Sequence, residues 1–326
     1  MLHSFKLLGL AALLILFAVP TNAQSWPNRP ITAIVPFAAG GPVDIVGRIL
    51  AQQMAELLGQ QIVVENPGGA GGMTGTARVV KSAPDGYTIL IASAGVLALN
   101  QTLYKRPLYN ASTDLEPVAL FSDTGRVLIV NKDFQASNLT EFIAYAKANH
   151  GKMSYGSAGA GSGTHVCAIL LDLAMGTKIT HVPYRGASLA MGDLIGGRID
   201  FIAEQVASAL PQIQGGNVKA IATLGAERAP GLENLPTAKE LGINGLDCGS
   251  WNALAVPKGT PEAIVRRLAQ ASSDAIDAPA VIERFKSIGV TVTPKDQRSP
   301  QYLGRYIASE IERWAVPIKS SGVTVE

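Results

Sequence analysis

The chain has 326 residues, with 27 basic and 25 acidic side chains and two cysteines. This near balance of charge gives no sign of the strongly basic composition that is typical of nucleic-acid-binding proteins, and we expect no nucleic-acid partner. A chain of this length exceeds what one hydrophobic core usually fills, so we expect two lobes. The 34 glycines and 6% aromatic residues favour an α/β protein with many tight turns.

The first 23 residues have the layout of a cleavable secretory signal peptide. His3 and Lys6 precede an apolar run over 7–19, and small residues follow at 21–23. The run is shorter than the roughly 20 apolar residues of a membrane anchor. We expect cleavage near Ala23-Gln24 and a protein that is free in the periplasm. Loss of Lys6 leaves 26 basic against 25 acidic groups.

The mature chain begins with alternating strand and helix patterns. Apolar β-type runs occupy 31–36, 61–65 and 87–92, and helical spacing of apolar residues occupies 43–58 and 74–81. Such alternation is typical of a parallel, doubly wound sheet flanked by helices.

The same pattern starts again near residue 127 and indicates a second lobe. Its predicted strands are 127–130, 153–155, 178–182, 198–203 and 218–223, with helices at 140–148, 164–174 and 188–195. An apolar segment at 250–256 then crosses back to the first lobe. Amphipathic helices at 262–275, 280–287 and 301–318 have no strands of their own, so we expect them to cover the first lobe.

These patterns predict where the domains begin and end. After the signal peptide at 1–23, lobe 1 comprises 24–124 plus 250–326, and lobe 2 comprises 125–249. The chain crosses between the lobes near 122–127 and 247–253, and two such crossings make a hinge.

Two glycine-rich turns are the most informative local feature. Residues 36–41 (Pro-Phe-Ala-Ala-Gly-Gly) and 156–164 (Gly-Ser-Ala-Gly-Ala-Gly-Ser-Gly-Thr) each lie between a predicted strand and a predicted helix. Backbone N–H groups at a helix start lack partners within the helix and carry the positive end of its dipole. The two turns therefore predict a carboxylate or phosphate held from both sides.

Short motifs follow one another in order along the whole mature chain. They are Trp26-Pro27 with Arg29-Pro30, Pro36-Phe37 through Gly40-Gly41 with Asp44 and Arg48, Val64-Glu65-Asn66-Pro67-Gly68 with Gly71-Gly72, Pro84-Asp85-Gly86-Tyr87-Thr88, Gly159-Ala160-Gly161-Ser162 with His165, Val182-Pro183-Tyr184-Arg185-Gly186 with Asp193-Leu194, and Pro257 with Gly259-Thr260-Pro261. This ordered set resembles the Bug or TctC type of periplasmic substrate-binding receptors of tripartite tricarboxylate transporters.

The resemblance implies a two-lobed, type II-like periplasmic binding protein fold. Each lobe would be a mostly parallel sheet flanked by helices, with the cleft between the lobes. It also implies a monomeric receptor without catalytic activity or cofactor. The receptor would close on a small organic carboxylate and deliver it to a two-component membrane permease of the TctA/TctB kind.

The resemblance further implies that both glycine turns grip the carboxylate through backbone N–H groups, hydroxyls and bridging waters. The expected ligand-binding residues are Phe37, Ala38, Ala39, Gly40, Asp44, Ser93, Ala94, Ser157, Ala158, Gly161, Ser162, Thr164, His165, Tyr184, Gly186, Ala187, Glu204 and Gln205. We expect the choice of carboxylate to depend on side chains at Ala94, Val96, Glu204, Gln205 and Asn252.

Three charged residues near this site have two interpretations each. Asp44 either stabilises the helix start or orients a water molecule at the ligand. Arg185 either pairs with a second carboxylate or is a solvated or lobe-bridging side chain. Glu204 either contacts a hydroxyl or ammonium group of the ligand or caps the following helix.

Two other classes of function compete with a transport receptor. An exported hydrolase would use Ser162 and His165, but Gly161 directly before the serine departs from the Gly-X-Ser-X-Gly pattern. A ligand sensor would use the same lobe closure to signal to a membrane kinase. A dinucleotide site is disfavoured because the third glycine of 159–164 comes one position early.

The cysteines Cys167 and Cys248 also have two interpretations. An oxidising compartment permits a disulfide between them, and Cys167 equally fits a small buried residue on an apolar helix face. Neither has a second cysteine or a histidine at metal-ligand spacing, so the sequence predicts no metal site.

Overall fold

The computed structural model describes residues 26–243 and 245–325. The predicted signal peptide at 1–23 and its cleavage position at Ala23-Gln24 lie outside the described residues. Within the described ranges, no helix combines the length and the apolar character needed to cross a membrane.

Eleven strands and ten α-helices make up the described fold. The strands are β1 Ile31–Ile34, β2 Ile62–Glu65, β3 Thr88–Ser93, β4 Leu115–Thr124, β5 Arg126–Asn131, β6 Ser154–Ser157, β7 Thr180–Pro183, β8 Phe201–Gln205, β9 Val218–Thr223, β10 Ser250–Pro257 and β11 Val290–Val292. The helices are α1 Pro42–Leu58, α2 Met73–Val80, α3 Asn100–Leu103, α4 Leu139–Asn149, α5 Gly163–Met175, α6 Ala187–Ile195, α7 Val206–Gln214, α8 Glu262–Asp277, α9 Pro279–Ser287 and α10 Pro300–Ser320.

The strands form two sheets, and the predicted α/β fold is confirmed. The first sheet has the order β11-β4-β10-β3-β1-β2, and the second has the order β7-β6-β8-β5-β9. Both sheets are mixed rather than mostly parallel, because β10 runs antiparallel to β3 and β4, and β5 runs antiparallel to β8 and β9. Only Gly125 separates β4 of the first sheet from β5 of the second.

Strand β4 is the longest strand, and the sequence pattern did not predict it. Its third residue is Pro117, and proline inside a central strand normally argues against strand structure because it cannot donate to the ladder. Pro117 pairs with Ala255 beside an irregularity in the register between Leu254 and Ala255, where a missing donor is tolerated. The pattern also missed α7 and the short strand β11.

The C-terminal helices lie against the first sheet, as the sequence predicted. Helices α8 and α10 pack on β4. Buried Glu310 on α10 accepts hydrogen bonds from Nε1 of Trp251 at 2.9 Å and from Nε1 of Trp314 at 3.2 Å. Arg313 pairs with Asp247 at 2.7 Å, and so connects α10 to the segment that precedes β10.

Cys167 and Cys248 form a disulfide, with their Cα atoms 5.7 Å apart. Both residues are buried. Of the two interpretations that the sequence left open, the disulfide is the one present. It ties α5, which begins at the second glycine turn, to the segment that returns to the first sheet.

A candidate anion-binding cleft between the two sheets

A small cavity lies where elements of the two sheets meet. Its walls come from the starts of α1, α5 and α6, the ends of β3 and β8, and the start of β5. The lining residues are Phe37, Pro42, Val43, Ser93, Arg126, Ala158, Ser162, Gly163, Thr164, Ala187 and Gln205. None of these side chains is acidic.

Three helices begin at this cavity. Gly41 precedes α1 and Gly186 precedes α6, and neither helix start has a capping side chain. Ser162 caps α5 by accepting a hydrogen bond from the His165 N–H. N–H groups of a first helical turn have no partner within the helix and favour a negative charge nearby. The cavity is therefore suited to an anion.

Asp44 organises the first glycine turn. Its buried carboxylate accepts from the Gly40 N–H at 2.9 Å, from Nδ2 of Asn66 at 2.9 Å and from Nε of Arg48 at 2.9 Å. Burial would raise the pKa of Asp44, but these hydrogen bonds outweigh it and hold the pKa below its ordinary value. Asp44 does not line the cavity, and its contacts match the helix-start interpretation.

Most of the N–H groups predicted to clamp the ligand have acceptors within the protein. In the second turn, the N–H of Ala158 donates to Oγ1 of Thr164 at 2.8 Å, and that of Gly161 donates to Nδ1 of His165 at 3.2 Å. In the first turn, Gly40 donates to Asp44. The helix starts are therefore the backbone donors that remain for a ligand.

Direct contacts join the two sides of the cleft, so the structure is closed. The hydrogen bonds that cross it are Ala38 N–H to Arg185 C=O at 3.1 Å, Ser188 Oγ to Ala39 C=O at 2.8 Å, and Tyr104 Oη to Ala160 C=O at 2.8 Å. The side chain of Arg185 is exposed, and its carbonyl makes the contact.

The structure brings part of the predicted set to the cavity wall. The predicted residues that line it are Phe37, Ser93, Ala158, Ser162, Thr164, Ala187 and Gln205. The other predicted residues do not line it, namely Ala38, Ala39, Gly40, Asp44, Ala94, Ser157, Gly161, His165, Tyr184, Gly186 and Glu204. Val96 and Asn252, expected to select the ligand, are buried away from the wall, and Nδ2 of Asn252 donates to Oγ of Ser122 at 3.1 Å.

Arg126 lines the cavity and is its only charged lining residue in the described part of the chain, and it was not among the predicted site residues. Its side chain is 3% exposed, and Nη1 donates to the carbonyl of Ala203 at 3.3 Å. Burial lowers its pKa to about 10, and the charge of Glu204 opposes that shift, so the guanidinium stays protonated at neutral pH. A lone charged residue at the head of an apolar strand, directly after Gly125, was the available signal.

Glu204 faces away from Arg126. In the register of β5 and β8, Glu204 opposes Val127 and Gln205 opposes Arg126. Side chains alternate between the faces of a sheet, so Glu204 and Arg126 lie on opposite faces. Oε1 of Glu204 accepts from the Gln205 N–H at 2.8 Å and from Oγ of Ser208 at 3.1 Å. The helix-capping interpretation is wrong, because these contacts involve no N–H of the first turn of α7 and that helix has no side-chain cap. Burial raises the pKa of Glu204.

The histidines behind the second glycine turn form a stack. The rings of His165 and His181 lie 4.0 Å apart between centroids, and Tyr155 stacks on His181 at 5.0 Å. His181 Nε2 is hydrogen-bonded to Oγ of Ser157 at 2.6 Å, and His165 Nδ1 accepts from Gly161. These two hydrogen bonds connect the stack to the second glycine turn.

Ser162 and His165 do not have the geometry of a nucleophile and its base. Oγ of Ser162 is hydrogen-bonded to Oγ1 of Thr164 at 2.9 Å and to the backbone N–H of His165 at 3.4 Å. The ring nitrogen Nδ1 of His165 is occupied by Gly161. A serine hydrolase needs a ring nitrogen directed at the serine hydroxyl.

A closed cleft between two α/β sheets, lined by helix starts, is the architecture of a periplasmic solute-binding protein. The chain matches the family model of the tripartite tricarboxylate transporter family receptor over residues 46–323, and it belongs to that family. The resemblance drawn from the sequence motifs is confirmed, and the protein is a solute-binding receptor.

Individual relatives agree with this assignment. The chain is 40% identical over 316 residues to a UPF0065 protein of the TAR-I ttuE-ttuC' intergenic region of Agrobacterium vitis, covering 96% of this chain and 91% of that protein. The structure of the periplasmic binding protein BugD has a TM-score of 0.89 and 38% identity, covering 92% of this chain and 100% of that one. MatC of Rhodopseudomonas palustris, solved with bound malate, has a TM-score of 0.87 and 35% identity, covering 90% and 100%.

Proposed function

We propose that this receptor binds a small organic carboxylate in the closed cleft and delivers it to a two-component membrane permease of the TctA/TctB kind. The observation that carries the proposal is the convergence of the α1, α5 and α6 starts on one cavity without acidic side chains. The malate bound to a relative of the same fold supports a carboxylate.

The proposed motion is closure of two lobes about a hinge. Lobe 1 comprises 24–124 plus 250–326, lobe 2 comprises 125–249, and the crossings lie near 122–127 and 247–253. The membership of the strands in the two sheets supports this division. The mature receptor acts as a monomer in the periplasm after removal of residues 1–23, as family membership suggests.

The receptor is not an enzyme in this proposal. The contacts of Ser162 and His165 favour a structural role for both. Replacing Ser162 with Ala removes the α5 cap, and we expect weaker ligand binding and a loss of about 1 kcal/mol of stability. If the wild type hydrolysed ester substrates and this substitution abolished that hydrolysis, the result would instead support the hydrolase.

A ligand sensor is distinguished from a transport receptor by deletion of the gene. Deletion of a sensor would leave solute uptake intact, whereas loss of uptake supports transport.

A thermal-shift screen of the mature protein tests the proposal directly. The panel contains mono-, di- and tricarboxylates, aromatic acids and amino acids, with the corresponding neutral amides as controls. A ligand at 100 times its Kd adds roughly 2.7 kcal/mol to the unfolding free energy. We expect one class of acids to raise Tm and its amides to have no effect. Equal shifts with acids and amides, or no shift with any acid, would reject a carboxylate site.

A further inference from the structure

We propose that Arg126 is a specificity-determining residue, which pairs with a carboxylate at one end of a ligand that carries two anionic groups. The other carboxylate would lie at the first turns of α1 and α6. This inference rests on the proposed carboxylate-binding function and assigns a role to a side chain that is buried in the cleft wall.

The charge of Glu204 acts on the buried guanidinium of Arg126 only from the opposite face of the sheet. Within the described ranges, the only hydrogen bond of this guanidinium goes to the carbonyl of Ala203, and no carboxylate forms an ion pair with it. A buried charge is costly unless it is paired and hydrogen-bonded. The guanidinium has five N–H donors, and two of them in parallel match a carboxylate.

The guanidinium of Arg126 lies at the start of a helix. Nη2 of Arg126 lies so close to Gly163, the first residue of α5, that a β-carbon built there would collide with it. A cation at the positive end of a helix is unfavourable unless an anion balances the charge of the cation and that of the helix start. Because Arg126 and Gly163 line the same cavity, a ligand carboxylate can contact both.

The positive charge at the cavity exceeds the negative charge of one carboxylate. Each helix start carries roughly half a positive charge, and Asp44 in the first turn of α1 opposes one of the three. The other two starts and the guanidinium amount to roughly two positive charges. A single carboxylate would leave an uncompensated positive charge in a closed cavity, whereas a dianion would balance it. The charge of Glu204 acts on Arg126, but its carboxylate lies on the opposite face of the sheet and does not line the cavity.

Wild-type protein gives the first test. Straight-chain dicarboxylates of four to six carbons are compared by calorimetry with their monoamides, which keep the length and remove one charge. We expect the best dicarboxylate to bind at least tenfold more tightly than its monoamide. Equal affinities would overturn the role of Arg126 but leave the receptor function standing. Absence of binding by every carboxylate would reject both.

Variants test whether the side chain of Arg126 causes the preference for a dicarboxylate over its monoamide. Arg126→Gln should weaken dicarboxylate binding at least tenfold and monoamide binding less than threefold, and Arg126→Lys should fall between Gln and the wild type because it keeps a charge without the fork. Gly163→Ala should displace the flexible end of Arg126 and give the same selective loss. Arg198→Gln is the matched control, since it removes one charge from an exposed surface pair with Asp193 and should change neither affinity.

Each result for the Arg126 and Arg198 variants has a different interpretation. Equal losses for dicarboxylate and monoamide in Arg126→Gln would mean that the residue is structural, and no loss for either would mean that it does not contact the ligand. A selective loss in Arg198→Gln as large as that in Arg126→Gln would assign the effect to net charge and overturn the proposal. If the buried substitution does not fold, Gly163→Ala and the wild-type comparison decide the question.

Discussion

The N–H of Ala38 and the carbonyl of Arg185 are joined across the cleft by a hydrogen bond of 3.1 Å. Ala38 belongs to the first glycine turn, and Arg185 lies just before α6. The residue between Arg185 and α6 is Gly186, where a β-carbon would lie 2.6 Å from the nitrogen of Ala38. The missing side chain at this position therefore permits the closed contact.

Gly186→Ala should impair closure without disturbing either sheet. Gly186 has φ 165°, extended backbone that alanine adopts without strain, so the change acts through the contact with Ala38. We expect ligand affinity to fall about tenfold, equivalent to about 1.4 kcal/mol, with little change in the free energy of unfolding. Calorimetry and urea denaturation measure the two effects. Gly192→Ala on the same helix is the control, because nothing lies within 4 Å of its β-carbon. Unchanged affinity in Gly186→Ala would contradict the steric argument.

Asp44→Asn should destabilise the first glycine turn. The substitution removes the charge that Arg48 contacts and replaces one acceptor with a donor facing the Gly40 N–H or Asn66. We expect a loss of about 1–3 kcal/mol in the free energy of unfolding, measured by urea denaturation. Asp85→Asn, in an exposed pair with Arg29, should cost less than about 1 kcal/mol. Equal costs for the two variants would argue against the organising role of Asp44.

Removal of the disulfide should destabilise the protein strongly. Cys167 and Cys248 are 81 residues apart in sequence, so their bond closes a long loop in the unfolded chain. Replacing both with Ala should lower the free energy of unfolding by about 2–5 kcal/mol. Reductant should lower the Tm of the wild type and leave that of the double variant unchanged. Two free thiols in oxidised wild-type protein, detected by mass spectrometry, would contradict the bond.

The histidine stack should make stability depend on pH. Burial lowers the pKa of His165 to about 3, with a further contribution from His181, and burial lowers the pKa of His181 to about 4. Below the unfolded value of about 6.5, the unfolded chain binds protons that the folded chain does not, so stability falls as pH decreases towards 4. Each histidine lowers the free energy of unfolding by at most about 1.4 kcal/mol per pH unit. Solvent screening makes the contribution of the partly exposed His181 smaller.

The His165→Gln variant isolates this effect from that of the carboxylates. Between pH 6.5 and 5, we expect the wild type to lose about 1–2 kcal/mol more unfolding free energy than the variant. Denaturant titrations at several pH values measure the difference. Parallel stability curves for the two proteins would mean that His165 titrates normally in the folded state.

The local order of strands, turns and helices could be predicted from the sequence because it depends on neighbouring residues. The apolar period and the glycines around α1 and α5 correctly located two strand–turn–helix units. Glycine reaches positive φ without strain, and Gly40 and Gly161 have φ values of 76° and 87°. The ordered motifs identified the family for the same reason, since they are local signals.

Only the tertiary structure decided which groups face the cavity. Arg126 reaches it because β5 pairs with β8 while α5 begins beside them, and none of these segments is adjacent in sequence. Glu204 is adjacent in sequence to Gln205, which pairs with Arg126, but its side chain lies on the other face of the sheet. Strand direction in the mixed sheets and the pairing of Cys167 with Cys248 likewise depend on distant segments. The sequence by itself determined the positions of the helix starts that favour an anion. Long-range packing determined which backbone N–H groups have no acceptor within the protein, and it placed the side chain of Arg126 beside them.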